Sequence, residues 1–406
     1  MIRQARYSLD SRVVREIDAL LALGHDVDVI CLARPGDPKY ERVGRVTVRG
    51  IAVAQKRGGA LRYVFEYVAF FVAAFFLVAR LHLRRRYDIV QVNTLPDVLV
   101  FAALVPRLLG ARVLLDLHEC MPEYFATKFE TTLAHPGVRL IAFAERLSIR
   151  FATFVITCTE PMRETFIARG APAEKIVVVL PSADEATFDP KRHPHRPRRP
   201  GEFVLVCHGS IEENYGLDTL VRAVALVKDE IPELNVRIFG DGSYRTVVEN
   251  LIAELGVAKH LYLSDGWVPI DELLSSLADA DVGIVAIKRD AFRDLTLCNK
   301  MYDFIVMRIP AIVSRTRAVE SYYGDSCFEL FTSEDEHDLA RAIRRLYADP
   351  QRCSDLVERA LVVNEPYRWK NQREIYQQVI ERLVRKEDPR LSTSLPRPLA
   401  QEGEES

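Results

Sequence analysis

Apolar positions in this chain follow two alternating patterns. Short unbroken apolar runs of strand length alternate with longer stretches in which apolar residues recur every three or four positions. From Asp10 or Ser11, the residues Val13, Val14, Ile17, Leu20 and Leu21 line one side of a helix that Gly24 ends, and Val27–Leu32 follows as a strand. The same alternation predicts strands at 88–93, 112–117, 154–157 and 175–180, with helices at 97–109, 138–152 and from Pro161. A second series opens at Phe203 and continues with strands at 235–239, 261–263, 282–286 and 327–331. Helices from Asp218, from Tyr244 and at 270–278 separate them, and helices at 335–347, 350–363 and 370–385 close the chain. Strands alternating with helices make parallel sheets, so the fold class is α/β, with two doubly wound, Rossmann-like domains.

Composition places the boundaries. The run Asp189–Gly201 holds four prolines and a dense basic cluster, so it cannot build a core element. The expected division is a first domain at 1–186, a linker at 187–201 and a second domain at 202–368. A helix at 369–386 packs back across the junction, and a disordered tail occupies 387–406.

The most apolar segment, 61–86, has thirteen uninterrupted apolar residues from Tyr67 to Ala79, flanked by Arg57, Arg62, Arg80 and Arg84–Arg86. A spanning helix needs about 20, and Glu66 interrupts any extension. Two readings stand level, a buried core helix with basic ends or a helix lying in an anionic membrane surface as a peripheral contact, and a transmembrane span ranks third.

Two stretches carry candidate chemistry. Residues 290–315 read as loop, helix, tight turn and strand. Asn299 is the expected helix cap, and Lys300 and Asp303 share one helical face. A cation and a carboxylate at a helix start that follows a strand mark a phosphorylated-ligand site in an α/β fold, against the plainer reading of a surface ion pair. His118 and Glu119 follow strand 112–117 at its carboxyl end, where parallel sheets present ligand groups.

Charge and cysteines narrow the class. The formal net charge of −2 gives no field that favours nucleic acid. Seven scattered cysteines without a C-x-x-C pair argue against a disulfide framework and a zinc site, and fit a reducing cytosol. No secretory signal is expected in the charged first sixteen residues.

Several stretches, in order, resemble the family 4 retaining glycosyltransferases of the GT-B fold, nearest to bacterial surface-polysaccharide members. They are RVVREIDALLALGHDVDVICL, YDIVQVNTLPDVLVFAAL, LLDLHECMPEYF, ADEATFDP, HGSIEENYGLDTLVRAV, IFGDGSYR, DGWVPIDELLSSLADADVGIV and the 290–315 stretch. The resemblance implies two domains facing across a cleft, with a nucleotide diphosphate sugar on the second and a glycan or lipid-linked glycan acceptor on the first. It implies a cytoplasmic enzyme of polysaccharide biosynthesis working at the inner membrane face. No cofactor and no metal are implied, because helix N-termini and cations carry the diphosphate charge. Retention at the anomeric carbon follows from a front-face mechanism in which the leaving phosphate helps deprotonate the acceptor.

Residue by residue, His118 matches the histidine near the transferred sugar, with Glu119 beside it as the second catalytic candidate. Gly209 matches the glycine that lets backbone approach the diphosphate, followed by Ser210. Trp267 and Val268 match the loop that holds the base, and Lys300 matches the lysine on the phosphates. Asp303 stands where the family grips the ribose with glutamate. Arg245 and Arg293 are positional candidates for added phosphate charge.

Four departures stand out. The common loop cations fall at Ser210 and Tyr215, and each lost charge-assisted bond costs about 1.5–3 kcal/mol. Leu295 replaces a glutamate. Arg308 occupies a turn position that favours small residues. The first strand and its glycine-rich loop are missing, so the natural start is expected upstream. Two alternatives follow: a catalytically degenerate scaffold of a polysaccharide assembly complex, or a nucleotide-sugar 2-epimerase with Glu119 and Glu123 as acid–base groups.

Overall fold

A computed structural model describes residues 1–7, 10–33, 36–53, 60–196 and 199–388. The chain divides into two compact units, Met1–Pro181 joined by the segment from Lys370, and Ser182–Trp369. The division precedes the basic, proline-rich run. Within the second unit, Arg196 donates from its backbone to Ala278 at 2.7 Å and from its guanidinium to Asp279 at 2.8 Å. Of the tail expected from Glu387, residues beyond 388 lie outside the described residues.

The first unit is built on eight strands: β1 (Ile2–Arg3), β2 (Val27–Ala33), β3 (Tyr40–Val43), β4 (Val46–Ala52), β5 (Ile89–Asn93), β6 (Arg112–Leu117), β7 (Phe154–Thr157) and β8 (Ile176–Val178). Their order is β3-β4-β2-β1-β5-β6-β7-β8, parallel except for the β3–β4 hairpin. The expectation of a missing first strand is therefore corrected. Ile2 pairs with Ile30 on one side and Val92 on the other, so β1 occupies the central position. Two residues, one of them charged, are too short a pattern to read from sequence; the long neighbouring strands supply the ladder. The hairpin was also illegible, because every residue of β3 is exposed and its side chains do not alternate.

Asp10 caps the helix Ser11–Ala22 through the Val13 amide, and Val13, Ile17 and Leu20 are buried as the spacing predicts. The final helix, Trp369–Val384, seals the first unit. Tyr376 donates its hydroxyl to Gln91 at 2.7 Å, and Gln377 donates to the Ala19 carbonyl at 2.9 Å.

The second unit is a six-stranded parallel sheet: β9 (Phe203–His208), β10 (Leu234–Phe239), β11 (Leu261–Leu263), β12 (Val282–Val285), β13 (Ala311–Ser314) and β14 (Glu329–Phe331). The order β11-β10-β9-β12-β13-β14 reverses direction between β9 and β12. A doubly wound sheet opens a ligand crevice at that switch, beyond the strand carboxyl ends. The helix Asn299–Val306 is seated there because Gly283 on β12 carries no side chain: a Cβ would lie 2.6 Å from the Phe304 ring.

That helix differs from expectation at both ends. Cys298, not Asn299, is the N-cap and contributes no capping side chain; the Met301 amide donates back to the Cys298 carbonyl at 3.0 Å, which leaves the amides of Asn299 and Lys300 at the open end of the helix. At the other end Arg308 has φ +60°, with Arg308 N donating to Ile305 O at 3.1 Å and Ile309 N to Phe304 O at 2.9 Å. This is a Schellman turn with arginine where glycine is unstrained.

Candidate active site

The switch point of the second unit gathers the residues singled out in the sequence. Gly209 follows β9 directly, with φ +106°, and Lys300 lies across it: a Cβ on Gly209 would approach Lys300 Cε to 2.7 Å. Lys300 is 8% exposed, so it is not the surface ion pair of the plainer reading. Its ammonium sits 3.7 Å from the Tyr215 ring centroid, and the Arg293 guanidinium lies 5.3 Å from the same ring. Arg293 also faces the Asn214 side-chain amide, whose oxygen accepts from it when the amide is flipped. Among the described residues neither cation has a carboxylate partner. Two like charges on one aromatic ring attract an anion. Ser210 and Tyr215 stand where the resemblance places the loop cations, and Arg293 brings a cation to the Tyr215 ring from the loop after β12.

The neighbouring loops interlock. Gly240 follows β10, and a Cβ there would overlap the Gly209 carbonyl. Its amide donates to Ser264 Oγ at 3.0 Å, and Ser264 in turn donates to Gly266 at 2.7 Å, tying down the loop that carries Trp267 and Val268. Trp267 is 66% exposed, with its ring open to solvent. Arg245 reaches this cluster through the Gly240 carbonyl at 3.4 Å, but its charge is engaged by Glu249 at 2.7 Å. Ser210 is half-buried and forms no side-chain hydrogen bond among the described residues.

Asp303 is buried on the helix beside Lys300. Sequence reasoning missed its neighbour His208, whose Nε2 lies 3.7 Å from Asp303 Oδ2 and has no hydrogen-bond partner. Phe188 stacks on the imidazole and Phe304 meets it edge-on. Burial, and then the Lys300 charge, push the His208 pKa down to about 3, so the ring is neutral near pH 7. Its place immediately before Gly209 was the only available signal.

In the first unit, His118 Nε2 lies 2.7 Å from Asp116 Oδ2, and the His118 amide donates to Thr94 Oγ1 at 3.1 Å. Asp116 is fully buried and also accepts from Arg12 Nε at 3.1 Å, Arg12 Nη2 at 2.8 Å and Asn93 at 2.8 Å. Burial opposes its ionisation, but Arg12 and His118 outweigh burial and hold its carboxyl far below the usual range. Glu16 accepts from Gln91 at 2.8 Å and Asn93 at 3.0 Å; burial and then the Asp116 charge push its pKa well up. Sequence reasoning saw only His118. Arg12 and Glu16 sit on a helix whose apolar stripe concealed them, and Asp116 looked like a polar break in a strand.

Glu119 has one carboxylate oxygen without a partner, and burial pushes its pKa up. Glu123 is tied to Arg169 at 2.6 Å, and Arg169 also holds Glu145 in two bonds of 2.9 Å. That engagement leaves Glu119 as the less constrained acid of the epimerase alternative. No group of three or more histidine, cysteine or acidic residues suited to a metal occurs among the described residues.

The comparisons bear on both units. The family model described as "Glycosyl transferase 4-like domain" matches residues 10–181, and "Glycosyl transferases group 1" matches residues 202–349. The chain is 26% identical over 210 residues to a GDP-mannose-dependent alpha-(1-6)-phosphatidylinositol monomannoside mannosyltransferase of Mycolicibacterium smegmatis, covering 50% of this chain and 54% of that protein. It is 26% identical over 289 residues to the 2-deoxystreptamine glucosyltransferase of Streptomyces kanamyceticus, covering 67% and 73%. The chain thus spans about half the length of the mannosyltransferase it matches. Sucrose-phosphate synthase from Thermosynechococcus elongatus has the same fold, with TM-score 0.71, 18% identity and coverage of 92% and 93%. Alr3699/HepE of Anabaena, in complex with UDP and glucose, aligns with TM-score 0.68, 15% identity and coverage of 94% and 98%. With two glycosyltransferase models matched in succession on two doubly wound parallel sheets, the chain belongs to the group 1 glycosyltransferases of the GT-B fold.

Proposed function

We propose that this chain moves a sugar, with retention at the anomeric carbon, from a nucleotide diphosphate sugar to a glycan or lipid-linked glycan in polysaccharide biosynthesis. The observation that carries the reading is the pair of cations, Lys300 and Arg293, sharing the Tyr215 ring beside Gly209 with no carboxylate to neutralise either. A diphosphate supplies the missing anion. Lys300 and Arg293 take the growing negative charge on the leaving phosphate, and the helix start at Asn299 and Lys300 adds to it. Asp303 accepts from the ribose hydroxyls, and Trp267 and Val268 flank the base. The glycosyl–phosphate bond breaks, the acceptor oxygen bonds to the anomeric carbon on the same face, and its proton passes to the departing diphosphate. In this reading no metal or cofactor is required, because the two cations hold the charge.

His118 and Glu119 are the first unit's contribution, with His118 serving the transferred sugar. The phosphatidylinositol monomannoside acceptor in the name of one relative supports a lipid-linked acceptor here. With it goes a cytoplasmic location at the inner membrane face, reached through the segment 61–86.

The test is a panel of UDP-, GDP-, ADP- and dTDP-sugars, scored by calorimetric binding and by release of nucleoside diphosphate. One base class binds, and Lys300→Ala and Arg293→Ala each weaken it. A panel in which no nucleotide sugar binds overturns the reading in favour of the degenerate scaffold.

A further inference from the structure

The helix Ala60–Arg85 is apolar on two sides. Phe70, Ala74, Val78 and Leu81 are buried in the first unit, while Phe65 (70% exposed), Val68, Val72 and Phe76 (67%) recur at three- and four-residue spacing on the outside. By length and composition, residues Phe65–Arg85 are also long and apolar enough to cross a membrane. Its packed side lies against the first unit.

The helix Pro136–Phe151 is also apolar on two sides. It buries Val138 and Ile149 together with Glu145 and Ser148, and exposes Leu140 (67%), Phe143 and Leu147 along one stripe. Between these two helices lies the segment Asp97–Leu108, in contact with both, which exposes Val98, Leu104 and Leu108 (76%). Three adjoining elements thus turn apolar side chains outward, where an ordinary solvated surface places polar ones. The exposed charges in the same part of the chain are mostly cationic. Arg80, Arg84, Arg86, Lys128, Arg139 and Arg150 are exposed, against Asp88 and Glu130.

We propose that this three-element face is a docking surface for an anionic lipid bilayer, lying in the headgroup plane. The inference rests on the membrane contact proposed above for 61–86, and extends it to two elements whose sequence gave no such signal. Charge complementarity selects the occupant. Aliphatic and aromatic side chains enter the acyl boundary while the cations meet lipid phosphates.

Vesicle sedimentation of the full chain tests it, with phosphatidylcholine vesicles and with phosphatidylcholine–phosphatidylglycerol mixtures. Binding to the mixed vesicles is expected, weakening in high salt. The double variant Leu140→Ser/Phe143→Ser is expected to lower vesicle partitioning about tenfold or more. Its melting temperature and its UDP or GDP affinity stay unchanged, because the altered side chains are exposed and lie outside the second unit. Equal partitioning of this variant and wild type overturns the three-element face, even if Val72→Ser/Phe76→Ser still abolishes binding. Absence of vesicle binding together with a stable dimer in analytical ultracentrifugation also overturns it and assigns the face to a second copy of the chain. Donor binding is read separately in each case, so failure here is distinct from failure of the transferase reading.

Discussion

Replacing Lys300 with methionine separates a ligand-binding cation from a structural one. In the free chain the ammonium is buried at 8% exposure and shares the Tyr215 ring with Arg293. Desolvating a cation without an anion costs several kcal/mol, and a desolvated cation–π contact returns about 2 kcal/mol. Methionine keeps most of the stem and removes the charge, so unliganded stability is expected to hold or rise by up to about 1 kcal/mol. A bound diphosphate would form charge-assisted hydrogen bonds of about 1.5–3 kcal/mol with Lys300, so affinity should fall roughly 10- to 150-fold. Calorimetry with UDP and GDP reads the affinity; thermal melts with and without nucleotide read the stability. Opposite signs are the signature: a firmer free protein and a weaker complex. Unchanged affinity, or a free protein that unfolds much more easily, refutes the reasoning. Gly209→Ala perturbs the same contact from the other side, because its methyl group would crowd Lys300 Cε at a backbone φ of +106°.

Three further outcomes follow from the same geometry. His208 binds a proton in the unfolded chain below pH about 6.5 but in the folded unit only below about 3, so stability is complete above the higher value and falls with acidification. Between pH 7 and 5 this amounts to about 2 kcal/mol, and His208→Asn should flatten that limb in urea denaturation; an unchanged slope would sink the assignment. Arg308→Gly should stabilise the second unit by about 0.5–1 kcal/mol, as relief of the left-handed turn exceeds the added freedom of the unfolded chain; a lower melting temperature would show that the turn is not strained. Asp116→Asn should cost about 3–5 kcal/mol by stranding buried Arg12, whereas Glu16→Gln should cost far less, because Glu16 meets Arg12 only at 3.3 Å while Asp116 holds the guanidinium in two bonds. Equal losses in chemical denaturation would contradict that division of charge.

The local alternation of strand and helix was legible because it depends on side-chain periodicity. So were Gly209, Lys300 and Asp303, which sit on loops and a helix start defined by neighbours in sequence. The two-residue β1 was not: a strand so short exists only because β2 and β5 present a ladder on either side. Arg293 was legible only as a positional candidate; its place on the Tyr215 ring was not. The two loops are brought together by the reversal of strand order between β9 and β12, which no local pattern encodes. Arg12, Glu16 and Asp116 carried no signal in the sequence, yet the fold places them in mutual contact inside the first unit, where Arg12 lies between the two carboxyl groups. The sequence by itself determined the longer strands and helices and the Lys300–Asp303 pair, since these follow from spacing along the chain, and the family resemblance added Gly209. The tertiary structure alone decided which charges neutralise one another and which are left for a ligand, because pairing depends on distances of a few ångströms between residues far apart in sequence.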